Sequence, residues 1–561
     1  MRYIKEILKN NKLWVLAYIG LGIFNAFMAN YKTDYFQKVI DGLAAGTLTF
    51  AGVITYGLIL LVNYCMNYLD NYPEKKLEYG IYLDFKLLSL RKISTIDYTE
   101  YQKIGTGKLV QRIENGTAAG RNVLFNFWLC LIRDLLPTIG FSIYFIWKID
   151  EKVTYVLFVG YAFIFIITNI LLKFLYKIKE KILNSEELLN HYLVRGYMEM
   201  LVFRMSKQFP SEIKKTCNAK EDIVSSKVKM NMIHEAFFTI FALLVAMLDI
   251  GILFYAWKTK NLTVGSVVAL IALIENAYTP IAIFYVLYVQ YKLDKASYKR
   301  FEEFLGLKDD VQLRNGNAIN TNVGKIAIRN LSFQYEERKI IDGLSLSIQK
   351  GEKIAFVGES GSGKSTLIRI LLGLLKYNQG EVRLGDMELK EICLNNLYDR
   401  VSYLSQDAPV FDGTIKENLV FEKQVSEEQM LGALSEVQLS HLVENLAEGL
   451  NTEIGEKGTC LSGGEKQRLA LARLWFEDSE LVILDEATSA MDNLTEENVM
   501  KSVMQKMKDK TVIAIAHRLN SIAGFDRIIL FKEGRIVGQG TFEELLHTDS
   551  YFMDLYNANV K

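Results

Sequence analysis

The segment GESGSGKST, Gly358 to Thr366, combines three glycines, a lysine and hydroxyl side chains at a spacing suited to phosphate. Gly358, Gly361 and Gly363 permit backbone N–H groups to turn inward around phosphate oxygens, and a following helix N-terminus adds partial positive charge. Lys364 can reach the β- and γ-phosphates, and Ser365 offers a hydroxyl to Mg²⁺. Ser360, Ser362 and Thr366 belong to the same nucleotide-binding loop. The preceding KIAFV reads as a strand and the following LIRILLGLL as a helix, the context this chemistry requires; a flexible Gly/Ser turn would need neither. Far along the chain, LVILDE ends in Asp485, placed to hold the metal shell through water. Next to it stands Glu486, whose carboxylate can orient an attacking water and accept its proton. The chemistry implied is binding and hydrolysis of a nucleoside triphosphate.

A second polar stretch, CLSGGEKQRLALAR at 460–473, reads by itself as a helix start, with Ser462 as N-cap and Glu465 three residues on. The elements that must carry these residues fall in two halves. The chain has 561 residues, 50% of them hydrophobic, and 65 basic against 65 acidic side chains, so bulk charge gives no sign of a nucleic-acid partner. The high apolar content points to membrane burial of part of the chain. Five cysteines, Cys65, Cys130, Cys217, Cys393 and Cys460, are too scattered for a disulfide framework or a zinc site.

Six apolar runs, roughly 13–36, 50–72, 123–147, 153–176, 235–257 and 264–288, each approach the ~20 residues of a membrane-spanning helix. A secretory signal is the alternative for the first run, but no small-x-small pattern closes it. Charged helical stretches separate the second run from the third and the fourth from the fifth, which places the bulk on one side. The positive-inside rule supports a cytosolic side only weakly, and the need for cytosolic nucleotide decides it. After about Leu305 the polar LKDDVQLRNGNAINTNVG reads as a linker. Beyond it, KIAIRNLSFQY, KIAFVG, LVILDE and TVIAIAH are β-rich runs between helical stretches, and RIILFKEGRIVGQG reads as a hairpin turning at Glu533-Gly534. The expected fold is a multidomain membrane protein: an all-α six-helix transmembrane domain over 1–305, a linker over 306–322, and an α/β P-loop ATPase domain over 323–561.

The C-terminal half resembles the nucleotide-binding domain of an ABC transporter, with the elements in family order. GESGSGKST resembles the Walker A motif and LVILDE the Walker B motif. Gln406 in YLSQDAPVFDGTIKENL matches the glutamine loop, LSGGE at 461–465 the signature, SAMD ending at Asp492 the D-loop, His517 in AHRL the switch histidine, and Tyr335 in FQY the adenine-stacking aromatic. The resemblance implies that Ser462, Gly463 and Gly464 grip ATP held by a second domain, so that two copies of this chain work as a homodimer. It also implies Mg²⁺ held by Ser365, Gln406 and Asp485, and catalytic roles for Glu486, His517, Gln406 and Lys364. Two departures stand out: Glu465 replaces the glutamine most common in the signature, and Met491 the usual leucine before Asp492.

The resemblance reaches the membrane half. YTEYQKIGTGKLVQRIENG, 98–116, is similar to a first cytosolic loop of exporters, where a short crosswise helix meets the nucleotide domain, and YLVRGYMEMLVFRMSKQF, 192–209, to the segment leading to the second. TEIGEKG, 452–458, and DGTIKENL, 412–419, look like the exporter loops that touch such helices. Together these likenesses imply ATP-driven export across the plasma membrane by alternating access. The expected cargo is a hydrophobic or amphipathic peptide or drug-like molecule; the alternatives are a lipid or lipid-linked glycan flippase, and an ATP-gated channel or sensor. No amino-terminal protease domain of the kind some peptide exporters carry is expected. Asp249 and Glu275 within the spans face either a hydrated cavity or a neighbouring helix. Phe24, Phe27, Tyr31 and Tyr35 recur at helical spacing and serve either packing or cargo. Arg133 and Asp134, adjacent on the third span, are expected to find partners on other helices rather than each other.

Overall fold

The computed structural model describes residues 2–198, 200–455, 458, 460–516 and 518–560. It divides into two compact units, one of Met1–Ser94 with Ile104–Leu307, the other of Thr95–Lys103 with Lys308–Lys561.

In the first unit the apolar runs extend into helices far longer than a bilayer requires. Five among the described residues are long and apolar enough to cross a membrane: α1 (Lys12–Ala44), α2 (Phe50–Ile93), α3 (Lys108–Ile149), α5 (Phe209–Thr259) and α6 (Val264–Leu305). The expected fourth run falls in α4 (Glu151–Met198), where the side chains of 164, 165, 168, 169, 171–173 and 176 lie outside the described residues. At ~1.5 Å per residue a 44-residue α2 spans roughly 66 Å, about twice the hydrocarbon core. The charged stretches thus continue the helices instead of forming separate loops. Thr49 and Thr263 start α2 and α6 by accepting the N–H groups of Gly52 and Ser266.

The core of this unit is built by spacing. Leu77, Ile81 and Phe85 lie four residues apart on α2 and are fully buried. Phe145, Ile146, Leu157, Ile252, Leu273, Ile274 and Tyr278 join α3, α4, α5 and α6, with Phe27 and Tyr31 packed against them. Gly160 makes room for Tyr278: a Cβ there would lie 2.0 Å from the tyrosine hydroxyl, which donates to the Leu157 carbonyl at 2.9 Å. Ahead of Pro137 α3 winds as a π-helix over Asn122–Leu129 and Leu131–Leu135, as expected near a proline that cannot donate to the preceding turn.

The second unit carries two sheets. Its strands are β1 (Ile326–Tyr335), β2 (Arg338–Ile348), β3 (Lys353–Gly358), β4 (Gln379–Leu384), β5 (Met387–Glu388), β6 (Val401–Leu404), β7 (Leu481–Asp485), β8 (Thr511–Ile515), β9 (Arg527–Lys532) and β10 (Arg535–Gly540). One sheet is antiparallel in the order β2-β1-β4-β5; the other runs β10-β9-β3-β8-β7-β6 and is parallel except at β10. β7 and β8 are buried along their whole length, which explains their uninterrupted apolar runs. The β9–β10 hairpin turns at Glu533 and Gly534, both at positive φ, the geometry of a two-residue turn between twisted strands.

The short helix Tyr98–Ile104, expected from the exporter resemblance, falls with the nucleotide unit over its residues up to Lys103. Thr95 donates its hydroxyl to Asp309 at 2.8 Å, and Tyr98 packs on the core of Ile354, Leu367 and Leu394.

Candidate nucleotide site

β3, β8, β7 and β6 are neighbours in one parallel sheet, so the loops leaving their C-terminal ends converge, the usual location of ligand crevices in such sheets. Gly358–Gly363 leave β3 and enter helix α7 (Lys364–Leu371). Gly361 and Gly363 take φ of 82° and 103°, backbone that favours glycine. Gly358 is required for a different reason: a Cβ there would meet the Phe531 carbonyl of β9 at 2.1 Å. The loop is thus fixed against the sheet at one end and open to a ligand at Gly361.

Lys364 is buried, and its ammonium donates to the carbonyls of Gly358 (2.7 Å) and Glu359 (2.9 Å) and to the Ser362 hydroxyl (3.3 Å). Burial pushes its pKa down against the opposing pull of Glu486, Asp485 and Glu359. The Ser365 hydroxyl donates to Asp485 Oδ1 at 3.4 Å, and the Tyr403 hydroxyl to Oδ2 at 3.3 Å. Burial raises the Asp485 carboxyl above the ordinary range, and Glu486 adds to the rise. Glu486 sits at φ 52°, with its Oε2 accepting from Gln406 Nε2 at 2.5 Å. Hydroxyl, carboxylate and amide oxygens together fit a hard divalent cation such as Mg²⁺. Ser360 and Thr366 stand in the same loop and helix start, and Tyr335 ends β1, 37% exposed, edge-on to Phe333 at 5.0 Å. His517 lies outside the described residues, as do Glu456 and Lys457 of the 452–458 loop.

The signature opens helix α8 (Gly463–Ala472) with Ser462 as N-cap in a reciprocal box with Glu465. Asp492 caps helix α9 (Asn493–Lys506) by accepting the Thr495 N–H at 2.9 Å, and that bond holds its carboxyl below the usual range. Among the described residues, Ser462–Gly464 meet Glu465, Ala490 and Met491 and make no hydrogen bond to the 358–366 loop.

Four residues that motif spacing passed over hold these parts in place. Gln467 donates to Ser489 Oγ at 3.0 Å and accepts from the Ala490 N–H at 2.8 Å, tying α8 to the 489–492 loop. Arg518 donates to the Met491 carbonyl at 2.5 Å and pairs at 2.8 Å with Glu496, which accepts from the Thr488 hydroxyl at 2.7 Å. Tyr403 is the fourth. Tyr403, Gln467 and Arg518 stand inside quoted motifs; only Glu496 carries no sequence signal.

In the membrane unit Arg133 is buried and bonded to Asp70 and, at 3.3 Å, to Glu74, both on α2, with the Tyr18 ring 4.1 Å from its guanidinium. Partners on another helix were expected. The added contact of Arg133 Nε with Asp134 at 3.5 Å corrects the expectation that the two could not meet; they lie in the π-wound Leu131–Leu135, which departs from α-helical spacing. Asp249 Oδ1 is buried without a hydrogen bond among the described residues, and Glu275 is exposed. Phe27 and Tyr31, both half-buried, stack at 5.7 Å and pack against the core.

Residues 341–489 match the ABC transporter family. A solved bacterial Atm1-family ABC exporter with ATP bound has the same fold over 99% of both chains, with a TM-score of 0.82 at 21% identity. The chain's helical half and α/β half share that exporter's fold, and five helices among the described residues are long and apolar enough to cross a membrane. The chain is 38% identical over 240 residues to an ATP-dependent lipid A-core flippase of Francisella tularensis, a match covering 42% of this chain and 39% of that protein's length. It is 33% identical over 301 residues to an uncharacterized ABC transporter ATP-binding protein of Bacillus subtilis, covering 53% of this chain and 52% of the other. With an ATP-dependent lipid A-core flippase of Hahella chejuensis it is 26% identical over 567 residues, 99% of this chain and 96% of that one.

Proposed function

We propose that this chain is an ABC transporter, an ATP-driven lipid flippase working as a homodimer in the plasma membrane. The observation that carries the reading is the likeness to the Hahella flippase along 99% of the chain, membrane half included. It favours a lipid over the peptide or drug-like cargo expected first from the sequence. The many large apolar side chains left exposed on the spans, such as Leu58, Leu61, Val159 and Ile250, suit a lipid surround.

In this reading Tyr335 stacks on adenine, and the N–H groups of the 358–366 loop with Lys364 hold the triphosphate. Ser365, Asp485 and Gln406 hold Mg²⁺, which when bound neutralises phosphate charge. Glu486, kept in place by Gln406, orients water and takes its proton at the carboxylate. Ser462, Gly463, Gly464 and Asp492 of a second copy close over the γ-phosphate, and His517 steadies it. Support for closure in trans is that the signature's own-chain neighbours are Glu465, Ala490 and Met491, with no hydrogen bond to the phosphate loop. Alternating access then follows from ATP-driven closure and hydrolytic reopening.

The test is ATP-dependent movement of fluorescent lipids between leaflets of proteoliposomes, with Glu486→Gln as the inactive control. Lipid movement lost in that variant is expected. Immobile lipids together with peptide-stimulated ATPase would return the cargo to the peptide class. Asp249→Asn and Glu275→Gln, tested in the same vesicles, decide whether those carboxylates serve cargo or helix packing.

A further inference from the structure

The signature serine is already engaged. A single carboxylate oxygen, Glu465 Oε2, accepts both the Ser462 N–H and the Ser462 hydroxyl, each at 2.7 Å, while the Glu465 N–H reaches back to Ser462 Oγ at 3.4 Å. The hydroxyl proton that would serve a γ-phosphate is therefore committed to a carboxylate within the same turn. Burial acts to raise the Glu465 carboxyl, but the Ser462 hydroxyl and N–H and the charge of Arg468 outweigh it and hold it below the ordinary range. A full negative charge thus sits at the N-terminus of α8, the place where a helix favours a bound anion.

The chain contains its own control. Ser426 and Gln429 form the same box with a neutral partner, the amide oxygen accepting the serine N–H and hydroxyl at 3.2 and 3.1 Å. A glutamine at the third position therefore supports the cap geometry without the charge. The carboxylate also has a second resting place. Arg468 lies one turn further along α8, at the i,i+3 spacing where side chains meet, and its Nε is buried without a hydrogen bond among the described residues.

We propose that Glu465 is a positioning residue with two settings: on Ser462 it blocks the signature from phosphate, and on Arg468 it frees the hydroxyl for ATP bound to a second copy. The γ-phosphate displaces the carboxylate on closure, and loss of the phosphate lets it recapture Ser462, which assists reopening. No bond is made or broken; a carboxylate and a phosphate compete for one hydroxyl and one helix end. The inference rests on the reading of Ser462 as a contact to ATP in trans.

The experiment compares full-length wild type, Glu465→Gln, Arg468→Gln and the double variant in proteoliposomes, with ATP-concentration series at two ionic strengths. Glu465→Gln is expected to lower the KM for ATP about two- to fivefold, the range of a single charge at a helix end, without raising kcat. Arg468→Gln is expected to raise KM in the presence of Glu465 and to leave it unmoved in the Glu465→Gln background. Added salt should lower the wild-type KM more than that of Glu465→Gln, because it screens the carboxylate from the phosphate. A role in capping alone predicts equal KM values and equal salt responses, and that result overturns the proposal. The half-saturating ATP for dimer closure is measured in parallel on the Glu486→Gln background. Closure at the same ATP concentration with and without Glu465→Gln refutes this inference and leaves the trans reading standing, whereas no closure in either chain refutes the trans reading.

Discussion

The two units meet the same difficulty, charge placed where water is scarce, in different ways. In the nucleotide unit Lys364 is held by its own loop, while Asp485 and Glu486 are held by Ser365, Tyr403 and Gln406, 80 to 120 residues earlier but each inside a motif of its own. In the membrane unit Arg133 depends on Asp70 and Glu74, from another helix some sixty residues earlier. Partners that stand inside motifs of fixed spacing are legible however far apart the motifs lie. Partners on separate spans leave only isolated charges in apolar runs. The difference teaches that the ATP chemistry of this chain can be read from order along the sequence, while the identity of its cargo depends on pairings that order does not reveal.

The largest effect that tests this contrast is expected at Glu486. Glu486→Gln should lower ATP turnover by about 10²- to 10⁴-fold, the usual contribution of a positioned base, with ATP binding retained; steady-state ATPase and equilibrium nucleotide binding check both. If the motif-based scheme is wrong, turnover will survive.

In the membrane unit, Arg133→Leu leaves Asp70 buried without its partner and should cost about 3–5 kcal/mol of stability. Thermal unfolding in nanodiscs measures it, and adding Asp70→Asn should restore part of the loss. A smaller loss of about 1–3 kcal/mol is expected for Gly160→Ala, whose new methyl meets the Tyr278 hydroxyl. Tyr278→Phe in the same chain removes the clashing oxygen and should recover stability, a rescue that a general helix effect would not show.

The smallest effect concerns pH. The Asp485 carboxyl is raised by burial in the folded protein, so the unfolded chain gives up its proton first as pH rises from the ordinary value of 3.8. Folding stability from this group is therefore full below that value and lost as pH climbs through the raised one. Asp485→Asn should melt higher than wild type near neutral pH, with the gap closing toward acid, while ATPase falls. A site that costs stability to support function is what such a trade predicts.

These contrasts also decide what was legible beforehand. The P-loop, Asp485, Glu486 and the signature were readable because each follows a strand or opens a helix in a run whose period announces it. The hairpin at Glu533-Gly534 was readable because two positive-φ positions in a two-residue turn suit such a pair. Glu496 was not, since its partners Thr488 and Arg518 meet it only through the fold. The Arg133–Asp134 contact was missed because α-helical spacing was assumed where the backbone is π-wound. Gly358 was credited to phosphate approach alone, although the carbonyl of Phe531, on a strand far along the chain, also demands it.

The central claim is that ATP is sealed between two copies of this chain, and crosslinking tests it most directly. Cys460 is exposed and two residues ahead of Ser462; paired with Glu359→Cys beside the phosphate loop on the Glu486→Gln background, it reports on the seam once the other four cysteines are replaced. ATP with Mg²⁺ should produce a disulfide-linked dimer that is absent without nucleotide. A chain that stays monomeric on gels at saturating ATP, while binding the nucleotide normally, would contradict the account.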